Sequence, residues 1–376
     1  MGTTPNLIPQ LRFPEFRENW SEKPLSNLLT FKNGINASKD DYGHGRKFIN
    51  VLDIINNNFI THDIIIGSVN VSDLDFQKNI VEYGDILFQR SSETREEVGQ
   101  ANVYLDKQLP ATFGGFVIRG KKRAEYDPIF LNLLLKTASA RKDITSKSGG
   151  STRYNVGQDT LSTVKIKITA ITEQTKIATF LTSVDKRISL LKKKKEELEQ
   201  YKKGIMQKLF SLEIRFKDEN GNDFPDWEEK KLGEVCENVM YGLNSSAIDF
   251  NGKDKYIRIT DIDESNNMYL PKPLTSPDGN LDDSFLVKKG DMLFTRTGAS
   301  VGKTYIYNEK DGNLYFAGFL IRFSITKADP HFVFYNTQTH RYAKWVKTMS
   351  MRSGQPGINA EEYKSFKINF PPIRKE

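Results

Sequence analysis

The sequence predicts an α+β protein in which two copies of one globular domain, mixed and β-rich with helices, are joined by a long coiled-coil helix. Two observations carry most of that prediction. A set of short motifs occurs twice, in the same order, about 205 residues apart. Between the copies, residues 172–210 run without proline and place apolar residues at alternating four- and three-residue spacing. A third observation bounds the class: hydrophobic residues make up 38% and aromatic residues 11% of the 376 positions, a composition that supports packed cores and argues against global disorder. The predicted segments are a first domain over 1–171, the helix over 172–210 and a second domain over 211–376.

The elements repeat in order. Trp20-Ser-Glu-Lys-Pro-Leu25 returns as Trp227-Glu-Glu-Lys-Lys-Leu232, and KFINVLDI (47–54) returns as KYIRITDI (255–262), both read as strands. GDILFQR (84–90) is matched by GDMLFTR (290–296), and FGGFVIR (113–119) by FAGFLIR (316–322). Near the end of each copy, SGGSTRYN (148–155) parallels SGQPGIN (353–359). The offsets are 203 to 208 residues, far longer than the roughly 20–50 residues of a solenoid unit, so this is a duplicated domain. Phe13, Trp20 and Trp227 read as core.

Within 172–210 the seam positions are Ile177, Leu181, Val184, Ile188, Leu191, Leu198, Ile205 and Leu209, interrupted by Lys195 and Lys202. That is a coiled-coil spacing, and such a helix spans roughly 58 Å. Lysine at two seam positions points to a partner helix with complementary residues. The segment holds ten Lys/Arg and five Asp/Glu, so it carries most of the formal net charge of +7. The Lys192–Lys195 run reads as a solvated face. Ile171, just before the helix, corresponds to Ile373, so a second helix is expected to begin close to Glu376. An uncovered apolar seam favours a fragment of a longer protein over a natural truncation.

GASVGKT at 298–304 has the residue types of a phosphate-binding loop but not its spacing: only Ala299, Ser300 and Val301 separate Gly298 from Gly302, where four residues are needed. The following Lys303–Tyr307 alternates like a strand, whereas a phosphate loop opens a helix. In the first copy the counterpart, Ser91–Asn102, keeps only Val98-Gly99, carries three glutamates and has glutamine in place of Lys303. This reads as a variable loop on a shared scaffold.

Other classes are excluded or left without support. The start MGTTPNLIPQLRFPEF lacks a basic region and an apolar stretch, so no secretory leader is read, and no apolar run approaches the roughly 20 residues of a membrane helix. One cysteine, Cys236, fits a reducing cytoplasm and leaves no disulfide framework. Four scattered histidines show no metal-ligand spacing. No catalytic constellation is found; Asn369-Phe370-Pro371-Pro372 has a composition similar to the Asn-Pro-Pro-Tyr type motif of adenine methyltransferases, but in the wrong order.

The paired W-x-E-K-x-L starts, the paired G-D-[IM]-L-F-x-R strands and the helix EQTKIATFLTSVDKRISLLKKKKEELEQYKKGIMQKLF together resemble the specificity subunits of type I restriction–modification enzymes, along essentially the whole chain. The resemblance implies that each globular unit is a target recognition domain reading one half of a bipartite double-stranded DNA sequence. It implies that two antiparallel helices hold the units apart and dock two modification subunits, which carry S-adenosylmethionine. Restriction subunits, with ATP and Mg, join that core, while this chain binds no cofactor or metal. A coiled-coil protein-binding adaptor and an NTPase using 298–304 are the alternative readings.

Base reading needs directional donors and acceptors, Arg for guanine and Asn or Gln for adenine. Phosphate contacts need cations, hydroxyls or free N–H groups. Two places in each copy supply them. The G-D-x-L-F-x-R strands end in Arg90, Ser91 and Ser92 or in Arg296 and Thr297, with Lys303 beyond. The late Gly/Ser loops offer Lys147, Arg153, Tyr154 and Asn155, or Arg352, Gln355 and Asn359. Arg258, which replaces Asn50 in the shared strand, is a further candidate, with Lys39, His44 and Arg46 weaker ones.

Overall fold

The computed structural model describes residues 9–372; the readings placed on the first eight residues and on Ile373–Glu376 lie outside the described residues. The chain divides into two compact units, Met1–Lys192 and Lys193–Glu376, with the division falling inside a single helix, Ile171–Phe210.

In the first unit, strands Leu29–Asn33, Val117–Lys122, Ile86–Gln89 and Ala101–Val103 are neighbours in that order in an antiparallel sheet. In the second, Cys236–Tyr241, Leu320–Ile325, Asp291–Thr295 and Thr304–Ile306 form the same sheet in the same order. Each G-D-x-L-F strand is interior to its sheet and buried on both faces. Ile86 and Phe88 join one apolar cluster and Leu87 another, as do Met292 and Phe294 against Leu293. A continuous apolar run rather than an alternating one is the signature of such a strand. The Trp-Glu-Lys starts pair with the last strand of their own unit, Ser21–Pro24 with Lys165–Ile168 and Glu228–Lys231 with Lys367–Phe370. Trp20 packs against Phe130, and Trp227 against Phe332.

The two FxGFxIR segments each begin beside a parallel neighbour, Phe48 opposite Thr112 and Tyr256 opposite Tyr315. Here the reading of KFINVLDI and KYIRITDI as uninterrupted strands is corrected. Strand Tyr42–Ile49 stops at Asn50, which opens the helix Val51–Ile55; Lys255–Ile257 stops at Arg258, which opens the turn Ile259–Asp261. The reason is local. The third residue after the cap is aspartate in both copies, and its carboxylate accepts the cap residue's backbone N–H at 2.7 Å (Asp53) and 2.9 Å (Asp261), which stabilises a helical start against a continuing strand.

Helices follow each sheet in the same sequence. Pro128–Leu135 and Pro330–Asn336 begin on Asp127 and Asp329, with proline in the first turn where no N–H is needed. Ala138–Ser146 and His340–Met349 begin on Thr137 and Thr339.

The long helix runs unbroken over Ile171–Phe210. Ile177 packs on the first core, while Leu181, Val184, Ile188, Leu191 and Leu198 are exposed; Ile205 and Leu209 are half-buried. The two seam lysines find partners within the chain: Lys195 lies 3.8 Å from Glu199, and the Lys202 ammonium sits 5.3 Å above the Tyr335 ring. No helix among the described residues is long and apolar enough to cross a membrane.

Candidate nucleic-acid interface

The two places picked from sequence in each copy meet in space. Arg90 ends its strand and bonds in two directions: its backbone N–H donates to the Phe116 carbonyl (2.9 Å), and its carbonyl accepts from Val156 N–H (3.0 Å). Arg296 repeats this with Phe319 (3.0 Å) and Ile358 (2.9 Å). The strand end, the F-[GA]-G-F turn and the Gly/Ser loop are therefore stitched together twice, through equivalent atoms. A third loop joins them. Ile35 and Leu243 donate backbone N–H to the carbonyls of Phe113 (2.9 Å) and Phe316 (2.8 Å).

Around this frame the candidate side chains divide. Arg296 has its guanidinium 4.9 Å from the Tyr241 ring centroid and no acidic partner among the described residues. It borders a groove of about 620 Å³ with Tyr241, Asn244, Arg258 and Phe319. Arg90 is exposed and spends one N–H on the Gly115 carbonyl at 3.2 Å. Arg153 is exposed and has no side-chain partner among the described residues, and Gln355 is exposed. Asn155 is exposed too, donating to the Arg153 carbonyl at 3.1 Å. Thr297 bridges to Gly357 through the backbone, as Ser91 and Ser92 pair with Asn155 and Tyr154. Ser92 is buried, and Tyr154 packs against the first core.

The remaining candidates already hold structural partners. Lys147 binds the Asp143 carboxylate and the Thr163 carbonyl, both at 2.8 Å. Arg352 pairs with Glu362, and Asn359 caps the helix Ala360–Lys364 by accepting Glu362 N–H at 2.9 Å. Arg258 forks onto both oxygens of Asp261 at 2.9 Å, and that hydrogen-bonded carboxylate holds its guanidinium above the usual range. Arg46 pairs with Asp73 at 2.7 Å. Lys303, the apparent phosphate-loop lysine, lies 3.0 Å from Glu264.

The 298–304 segment itself is a single turn, Gly298–Ser300, followed by the strand Thr304–Ile306, so no helix N-terminus faces a phosphate cradle there. The surviving Val-Gly pair has a packing reason. Gly99 (φ 68°) and Gly302 (φ 88°) are left-handed, and a methyl group on either would fall 2.5 Å from the Ile144 or Val346 side chain.

A second repeated arginine is different in kind. Arg119 and Arg322, which close the FxGFxIR motifs, are buried. Arg322 donates to the carbonyls of Ser284 (2.8 Å) and Leu286 (3.0 Å) and lies 3.8 Å from Asp291. Arg119 reaches the Ile80 carbonyl, and burial lowers its affinity for a proton. These brace the sheet.

Sequence reasoning missed two features of the frame. Phe116 and Phe319 stand in the sequence only as members of a repeated motif, yet they are 65% and 58% exposed at the turn. The segment Gly34-Ile-Asn-Ala-Ser38 recurs as Gly242-Leu-Asn-Ser-Ser246, at an offset of 208 residues. Its exposed Asn36 and Asn244 have no side-chain partner among the described residues. Self-comparison at the known offset was the signal that could have found both.

The family model for the type I restriction modification DNA specificity domain matches residues 17–200 and 225–376. The chain is 24% identical over 390 residues to the putative type I restriction enzyme MjaX specificity subunit of Methanocaldococcus jannaschii, covering 96% of this chain and 85% of that one. It is 25% identical over 272 residues to the MjaVIII specificity subunit of the same organism, covering 66% of this chain and 60% of that one. Among solved structures, the S subunit of a type I restriction–modification system from M. genitalium aligns with a TM-score of 0.54 at 17% identity, over 96% of this chain and 87% of that one. A chain from a type I R-M system solved for its complex assembly and conformational transition gives 0.54 at 16% identity, over 97% and 88%. At these identities the structural likenesses speak to the fold, and the family match across both copies carries the assignment: the chain belongs to the type I restriction–modification DNA specificity family.

Proposed function

We propose that this chain selects the DNA sequence for a type I restriction–modification complex, reading a bipartite, asymmetric double-stranded target with one half-site per globular unit. The observation that carries the reading is the doubled frame of converging loops. Equivalent backbone bonds hold Arg90 and Arg296 at equivalent places, while the side chains and loop lengths around them differ. A fixed scaffold with unlike loops is what two unlike half-sites require.

The chain contributes recognition rather than catalysis. Its converging loops present guanidinium, amide and phenyl groups, which suit base edges and phosphates. The exposed seam Leu181–Leu198 is the docking face for two modification subunits, which bring S-adenosylmethionine; restriction subunits bring ATP and Mg. The compartment is the cytoplasm, consistent with the single buried Cys236.

The test is a methylome. Co-expression with the cognate modification subunit in a methylation-free bacterium is expected to yield one interrupted motif with two unlike halves. Methylation at a continuous motif, or none from an assembled complex, would overturn the reading.

A further inference from the structure

Phe116 and Phe319 occupy the same position of the same turn in both copies. Val117 and Leu320 close that turn by donating N–H to the carbonyls of Gly114 and Ala317, each at 2.8 Å. The turn is anchored from beneath by Gly114 N–H to the Ile49 carbonyl and Ala317 N–H to the Ile257 carbonyl, each at 3.0 Å. Arg90 and Arg296 hold each phenylalanine's own carbonyl. The backbone is thus bonded on every side while the ring stands in solvent. Neither core needs it: the preceding Phe113 and Phe316 are fully buried.

The neighbours say what kind of surface the ring would meet. In the first copy the Arg90 guanidinium donates to the Gly115 carbonyl at 3.2 Å, and a methyl group on Gly115 would lie 1.8 Å from the Asn36 side-chain oxygen, so both groups lie against the residue next to Phe116. In the second copy Asn244, Arg296 and Phe319 border one groove. The major-groove edge of a base pair offers partners for hydrogen-bonding side chains, and one apolar group, the thymine methyl. An asparagine that reads adenine faces a pair that carries that methyl on the same edge.

We propose that Phe116 and Phe319 are specificity-determining residues, each packing its ring on a thymine methyl in the major groove of its own half-site. The inference rests on the DNA-reading function proposed above. It adds a direct apolar base contact, one per unit.

The experiment uses the assembled complex with its modification subunits and duplexes carrying the motif defined by the methylome. Each thymine of the two half-sites, on either strand, is replaced in turn by uracil, which removes only the methyl. One replacement per half-site is expected to weaken binding roughly fourfold, the worth of one buried methyl group. Phe319→Ala is expected to abolish the uracil penalty in the second half-site and leave that of the first intact, with Phe116→Ala doing the converse. A penalty that survives both substitutions, or no penalty at any thymine in the wild type, overturns the proposal while the methylome still supports DNA reading. Weakened complex assembly in Phe319→Ala, with the uracil penalty unchanged in the complex that does form, would assign the ring to a protein contact and also overturn it. Failure of the wild-type complex to prefer the motif would sink the DNA-reading function itself.

Discussion

The first and second copies share a sheet, a helix order and a hydrogen-bonded loop frame, and differ most between Arg90 and Ala101 against Arg296 and Thr304. In the first copy that connection is long and tied down. Arg95 donates to the carbonyls of Thr145 (3.1 Å) and Ser146 (3.2 Å), and Arg141 reaches back to Gly99 and Val98 at 2.6 Å. In the second it is a single turn held by Gly298 N–H to the Pro356 carbonyl at 3.0 Å. Both routes return through a buried or half-buried valine and a left-handed glycine. The frame conserves what must pack, and leaves free what can face a ligand.

The comparison can be broken hardest at its core. Arg322→Ala removes a buried guanidinium and leaves Asp291 buried beside two orphaned carbonyls, so unit 2 should lose about 3 kcal/mol. Denaturant unfolding would measure it, and a loss under 0.5 kcal/mol would show that Arg322 does not brace the sheet. Gly302→Ala should cost about 2 kcal/mol, because it adds a left-handed alanine and a clash with Val346. Gly99→Ala should do the same in unit 1 against Ile144.

Glu173, 1% exposed, accepts 2.7 and 2.6 Å hydrogen bonds from Arg12. Burial alone would raise its pKa, but the bonds from Arg12 and Thr169 outweigh it and hold the carboxyl below its usual 4.5. A depressed folded value means stability present above pH 4.5 and lost as pH falls through the folded pKa. Glu173→Gln should lower the neutral-pH stability of unit 1 by about 1 kcal/mol and flatten that acid limb; an unchanged limb in a pH series of melts would refute it.

The smallest stability effect should accompany the largest change in specificity. Arg296→Ala should leave stability within about 0.5 kcal/mol yet blur base preference in the second half-site alone, read as the spread of methylated motifs. Unchanged preference would remove Arg296 from the reading surface. Grafting residues 297–301 in place of 91–98 should likewise preserve folding, since Gly99 and its Ile144 contact remain, and should alter only the first half-site.

How far the sequence reaches is visible in single residues. The helix read over 172–210 is Ile171–Phe210, because a heptad seam without proline admits little else. Arg296 and Arg322 show the opposite case. Both end a repeated apolar strand motif, and their sequence contexts look alike. One emerges at a loop junction and the other turns under the sheet, a distinction made by register and by which carbonyls lie within reach. Arg258 looked like a change of reading residue, but Asp261, three positions later, claims its guanidinium. Lys303 looked like a nucleotide ligand, but Glu264, far away in sequence, pairs with it.

By itself, then, the sequence determined the duplication, the long helix, the repeated apolar strands and the family, because these rest on periodicity, apolar runs and repeated spacing, all properties of the chain read in order. Only the tertiary structure decided which polar side chains are free. That depends on partners tens of residues away, on the turn that lifts Phe116 and Phe319 out of the core, and on the backbone bonds that draw two separate loops onto one arginine.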